Sequence, residues 1–200
     1  ATATLRQRHI PPNVTTNFMK QYRITKYNPR FRDDEGSYIN DSEWTAISDI
    51  GEPEFNNLSY EEYEKIETSY VKSIISIIDE KNVSSLRINS LEVGNINEYF
   101  ENVENAWRFN SLNLNIETEI KLLKDGLEIG YDKLDNIIRL ILREAIFAIL
   151  IGENIKVQFG YDYYMYVKCD KLKSSTIEAI EQMGLFVEQD QGPIQYILYE

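Results

Sequence analysis

An α+β fold is what this sequence predicts: an antiparallel or mixed β-sheet with helices packed mainly on one face and one central, strongly apolar helix. Three observations point there. Short segments of alternating strand formers occur in both halves of the chain. Two long apolar stripes at helical spacing lie between them. The order of elements reads β-β-α-β and then α-β-β-α-β, which suits a sheet covered by helices better than a parallel doubly wound fold.

The elements follow in order. Tyr22 to Tyr27 (YRITKY) alternates as a strand does and is interrupted by Asn28-Pro29. Asp33-Asp34-Glu35-Gly36 is a polar turn, and Trp44 to Ile47 is a second, short strand candidate. Ser59 and Glu62 form a capping box, each satisfying an orphan backbone amide. Tyr63, Ile66, Tyr70, Ile74 and Ile77 then recur at three- and four-residue steps, one face of a helix ending near Lys81-Asn82. Leu86 to Val93 reads as a strand.

From Asn95 to Ile116, helical spacing of Tyr99, Phe100, Val103, Ala106 and Trp107 competes with breaks at many Asn residues. Ile116 to Leu127 is a short helix. Lys133 to Ile151 is the central helix, capped by Asp132 or Asp135, apolar nearly all round and ended by Gly152. Ile155 to Phe159 and Tyr163 to Cys169 form a β-hairpin with a loop of about three residues. Ser175 and Glu178 repeat the capping box, and Gly184 sits where a C-terminal cap belongs. Leu185 to Glu188 is a strand and Ile194 to Tyr199 one more.

At 200 residues the chain is long enough to bury a core without disulfide or metal. Residues 1–18 differ from the rest: they hold no acid, two arginines, the single histidine His9 and Pro11-Pro12, and Met19-Lys20-Gln21-Tyr22 looks like a natural start. This segment reads as a leader, an appended remnant or an upstream translated stretch, or alternatively as an arm that docks on a partner chain. Residues 19–200 are expected to be one α+β domain.

Charge narrows the function. Thirty-three acids face 21 bases, a net charge of −12, so the basic footprint of a nucleic-acid binder is missing. Anionic membranes repel such a chain, and its longest apolar run, Ala145 to Ile151, is too short to span a bilayer. Long-range steering favours a basic partner, although solubility alone also accounts for an acidic surface. Cys169 is the lone cysteine, which fits a reducing, cytoplasmic setting.

The catalytic toolkit is thin. There is no phosphate-binding glycine loop and no nucleophile elbow. A triad would need His9, which lies in the foreign-looking segment. Asp33, Asp34 and Glu35, with Asp41, Glu43 and Asp49 nearby, offer carboxylates to Mg²⁺, but neighbours in one loop seldom converge on a metal, and a solvated turn is the plainer reading. Neither a cofactor nor a metal is expected, nor is enzyme activity.

Arg139 and Arg143 lie one turn apart on the central helix. They suit an anion clamp, but Asp135 is placed to pair with Arg139, and Arg143 is expected at the helix rim or on another acid. The 14 tyrosines are the most suggestive feature, with Tyr161, Tyr163, Tyr164 and Tyr166 around Asp162 on the hairpin. They fit an interface, where tyrosine offers contact area and a polar tip, and fit a sheet core equally well.

The stretch Tyr22 to Gly51, with RITKYNPRFRDDEGSY and DSEWTAISDIG, resembles small uncharacterised acidic cytosolic proteins of Gram-positive bacteria. FGYDYYMYVKC with MGLFVE is similar to their C-terminal part. Some members of that kind look like immunity proteins of toxin systems. The resemblance covers most of Met19 to Val187 and implies a shared fold more than an activity.

Two functional expectations result. The first is a protein-binding inhibitor, most concretely an immunity protein that occludes the cationic active site of a bacterial toxin such as a nuclease. Asp33, Asp34, Glu35, Trp44, Asp49, Tyr161, Asp162 and Tyr164 would carry the contact. The second is a small-molecule enzyme or sensor that holds an anionic ligand on Arg139 or Arg143 between sheet and central helix, with Asp49 or Asp162 as acid or base.

Overall fold

The computed structural model describes residues 19–40, 43–94, 116–160 and 162–189. The helix reading of Asn95 to Ile116, the strand Ile194 to Tyr199, Tyr161 and His9 all lie outside the described residues, Ile116 excepted.

Among the described residues, seven strands form one antiparallel sheet: β1 (Lys20–Thr25), β2 (Ser85–Val93), β3 (Glu128–Gly130), β4 (Ile146–Gly152), β5 (Ile155–Phe159), β6 (Met165–Cys169) and β7 (Phe186–Gln189). Their spatial order is β3-β2-β4-β5-β6-β1-β7. Four helices accompany them among the described residues: α1 (Tyr60–Lys81), α2 (Ile116–Leu122), α3 (Tyr131–Leu142) and α4 (Ser174–Gln182). The α+β expectation holds.

Strand alternation divides the sheet into two unlike faces. Ile88, Leu150, Val157, Val167 and Tyr22 stand in register across β2, β4, β5, β6 and β1, and each is buried. They belong to the core cluster that also takes in Tyr63, Tyr70, Ile74 and Ile77 of α1. Helices α3 and α4 both pack against α1. One residue over, Asn89, Ile149, Gln158, Tyr166, Arg23 and Glu188 form the matching row on the other face, which is far more polar.

Helix α1 starts and stops as its sequence dictates. Ser59 and Glu62 make the reciprocal capping box, and Asn82 ends the helix in the left-handed region at φ 54°.

The central helix is shorter than the sequence predicts. It ends at Leu142, and Ile146–Gly152 is a strand, β4, in the middle of the sheet. A central strand reads as a continuous apolar run, and here it follows an apolar helix directly, so spacing alone joins the two. The break falls at Glu144, in the left-handed region at φ 62°. Ala145 N–H donates to Leu140 O and Glu144 N–H to Ile141 O, the paired bonds of a Schellman ending built without glycine.

Capping differs in two further places. Gly130 occupies the N-cap of α3 with no side-chain bond, so neither Asp132 nor Asp135 caps it. Helix α4 begins at Ser174, which puts Ser175 inside the helix instead of at its cap. A distant residue serves there: Glu80 of α1 accepts from Lys173 N–H at 3.1 Å. Finally, Trp44 to Ile47 is not a strand. Asp49 Oδ2 accepts from Thr45 N–H at 2.6 Å and Ala46 N–H at 3.0 Å, drawing these amides into a local turn.

Candidate functional site

Among the described residues, the most heavily buried charges lie between α1 and α3. Glu67 and Arg143 are both 0% exposed. Arg143 donates from Nε to Glu67 Oε1 at 2.6 Å and from Nη2 to Oε2 at 2.7 Å. Arg139 also reaches Glu67, and its Nε donates to Asp135 Oδ1 at 2.9 Å. Burial alone would lower the Arg143 pKa, but the hydrogen bonds and charge of Glu67 outweigh it and raise it. Two guanidiniums and two carboxylates thus balance one another. The Arg139–Asp135 pair follows helical spacing; Glu67, the acid that receives Arg143, was not singled out by sequence reasoning. Both arginines are engaged internally, which removes the main support for an anion clamp on them.

A layer of rings adjoins this cluster. The Tyr63 and Tyr163 hydroxyls bond each other, and Tyr163 also donates to Leu142 O at 2.8 Å. Tyr70 donates to Tyr163 O at 2.6 Å. Trp44 packs against the Tyr63 and Tyr163 rings at centroid distances of 5.4 and 5.0 Å. Tyr163 holds a left-handed backbone at φ 60°, costly for a bulky residue and secured here by those bonds.

Trp44, proposed as a partner anchor, is therefore a core residue, 9% exposed. Lys26 also lies over its ring. The Lys26 ammonium sits 4.1 Å from the Trp44 ring centroid and 4.2 Å from that of Tyr27. It pairs with Glu43 at 3.2 Å, with its side chain only 4% exposed. Burial pulls its pKa down to about 8 against the opposing pull of Glu43 and Asp49. A lone lysine beside a tyrosine carries no sequence signal for such a cage.

The hairpin tyrosines divide. Tyr163 and Tyr166 are buried. Tyr164 is partly buried beneath two guanidiniums, Arg23 and Arg32, at 5.7 and 5.4 Å from its ring. Its hydroxyl accepts from Arg32 Nη1 at 3.1 Å. Asp162 is exposed in the tight turn, at φ 57°. The hairpin is thus mostly internal packing, and Asp49 is spent on its own loop.

Asp33, Asp34 and Glu35 are different: all three are exposed. They form the tip of a small finger closed by the Ile39 N–H to Phe31 O bond at 3.0 Å and the Arg32–Tyr38 bridge. Asp33 Oδ1 accepts from Glu35 and Ser37 N–H groups at 3.0 and 2.8 Å and fixes the turn. At the base, Phe31 is 49% and Ile39 59% exposed. Phe31 is flanked by the exposed Arg30 and by Arg32, but from Asp33 to Glu64 the chain carries eleven acids and no Lys, Arg or His. Glu52, Glu54, Glu61 and Glu62 of that run are exposed as well. Contacts tie the run together, since Tyr38 of the finger reaches Glu43 at 3.5 Å and Trp44 packs on α1.

No group of His, Cys, Asp or Glu among the described residues is arranged to hold a metal ion. No helix among them is long and apolar enough to cross a membrane. No protein-family model matches the chain, no curated protein matches it, and no solved structure matches it.

Proposed function

We propose that this chain is a protein-binding inhibitor of a basic partner, in its most concrete form an immunity protein that occludes the cationic active site of a bacterial toxin such as a nuclease. The observation that carries the reading is the stretch from Asp33 to Glu64, eleven acids with no base among them, whose first three are exposed at the finger tip near the apolar side chains of Phe31 and Ile39. Carboxylates steer and orient a basic partner, and a small desolvated apolar contact supplies the hold. Asp33, Asp34 and Glu35 remain in the proposed contact surface, and Phe31 and Ile39 replace the buried Trp44 as its anchors. Asp162 is retained only as a flanking charge.

The alternative, an anionic ligand held between sheet and central helix, has less behind it, because Glu67 and Asp135 already occupy Arg139 and Arg143.

The experiment is capture of the partner from the source organism with the full chain, followed by affinity measurements across ionic strength. The reading expects one basic protein whose affinity falls steeply with salt. A partner that is acidic, or bound equally well at low and high salt, would overturn it.

A further inference from the structure

At the far end of α1 lies an open cleft of about 520 Å³, lined among others by Lys81, Asn82, Ser84, Arg87, Glu128 and Glu153. Its size is that of a small-molecule site, roughly 300–1,000 Å³. Its walls are polar, with Val83 and Ile151 as apolar exceptions.

Strand register sets two of the charges of this cleft, and Lys81, Glu153 and Asp170 supply the others. Leu86 and Ile88 of β2 point into the core, so Arg87 stands on the opposite face and is exposed. Arg87 lies directly across from Glu128 of β3 and from Ile151 of β4. Opposite charges facing each other in adjacent strands ordinarily pair. Here they make no ion pair. Glu128 Oε2 instead accepts from Ser85 Oγ at 2.7 Å, and Arg87 pairs with no described residue. Lys81, the other cation of the cleft, is already committed, its Nζ donating to Glu80 Oε1 at 2.8 Å and Lys171 O at 2.9 Å. An unbridged guanidinium and carboxylate therefore stand side by side on neighbouring strands within a polar hollow.

We propose that this cleft binds a small zwitterion of the α-amino-acid type, its carboxylate on the Arg87 guanidinium and its ammonium on the Glu128 carboxylate. The planar fork of arginine matches a carboxylate with two parallel hydrogen bonds, and a carboxylate acceptor suits a compact ammonium. A ligand with both charges close together satisfies both residues at once, whereas a simple anion or cation leaves one unanswered. The asparagine and serine side chains at the rim add donors and acceptors for a polar ligand body. The site is separate from the acidic finger and does not rest on the proposed partner.

The test is a nuclear magnetic resonance titration of the full chain with each free L-α-amino acid, with acetate and methylammonium as half-ligands. The Arg87 Nε–H and the Gly152 and Asn154 amides report binding. The proposal expects saturable shifts with at least one amino acid, and about tenfold or weaker binding of either half-ligand. Arg87→Gln and Glu128→Gln, both at exposed positions, are each expected to weaken the amino acid by about tenfold or more, while Lys72→Gln, exposed on α1, leaves it unchanged. The proposal is overturned if no amino acid shifts these signals by about 10 mM, if acetate binds as well as the best amino acid, or if Arg87→Gln binds like the wild type.

Discussion

Arg143 grips Glu67 through two parallel hydrogen bonds, Nε to Oε1 and Nη2 to Oε2, in a place where solvent reaches neither side chain. The pair joins the end of α3 to the middle of α1. Removing one member leaves the other charge buried. Glu67→Ala strands the Arg143 guanidinium and leaves Arg139 paired with Asp135; it is expected to cost about 3–5 kcal/mol, as is Arg143→Ala, each read from urea unfolding. The double change Glu67→Leu with Arg143→Met is expected to be milder than either alone, because no uncompensated charge remains. Additive losses in the double variant would show that the two side chains do not act as a unit.

Alkaline titration gives a second test. Burial holds the hydroxyls of Tyr27, Tyr63, Tyr70 and Tyr163 well above the usual tyrosine range. Their folded pKa values are raised, so the stability they confer is present below the unfolded value of about 10 and is lost as pH rises past it. Unfolding free energy should therefore drop steeply above about pH 10. Tyr163→Phe, which loses the bonds to Tyr63 and Leu142 O, should cost about 1–3 kcal/mol at neutral pH.

Lys26 has the opposite sign. Its folded pKa is lowered to about 8, so above that pH the unfolded chain binds the extra proton. Stability from this group rises with pH between about 8 and its unfolded value of about 10.4. Compared with Lys26→Met, the wild type should gain ground across that window, read as the difference in urea midpoints from pH 7 to 10. A constant difference would show that the ammonium is not desolvated.

Cys169 is fully buried, and burial pushes its thiol up to about 11. The thiolate is the reactive form, so the native chain should resist thiol reagents at neutral pH and react only as fast as it opens. Rapid modification without denaturant would contradict the register of β6 against β1 and β5.

Substitution on the finger and in its neighbouring loop should separate stability from binding. Asp34 and Glu35 are exposed, and Asp34→Asn with Glu35→Gln should change stability by no more than about 0.5 kcal/mol. Asp49→Ala frees two backbone amides and should cost about 1–2 kcal/mol. Differential scanning calorimetry distinguishes the two.

What could be read in the sequence was local. The Ser59–Glu62 box and its apolar stripe define α1, and alternation defines β5, because both signals depend only on near neighbours. The Arg139–Asp135 pair was legible for the same reason. What could not be read depends on contacts distant in sequence. The run Ile146–Gly152 is a strand because β2 and β5 flank it. Lys173 is capped by Glu80 from another helix, and Trp44 is buried because Tyr63 of α1 and Tyr163 of the hairpin pack against it. The tyrosine-rich hairpin looked equally suited to surface and core, and only the placement of Tyr63, Tyr70 and Trp44 behind it decides for core.

Docking at the finger depends on where negative charge sits, beyond how much there is. The direct measurement compares two charge reversals of equal size in the purified complex: Asp34→Lys with Glu35→Lys on the finger, and Glu178→Lys with Glu181→Lys on the exposed side of α4. The finger variant should lose about 100-fold in affinity or more, and the α4 variant no more than about threefold. Equal losses in both, or none in the finger variant, would contradict a docking surface at Asp33–Glu35.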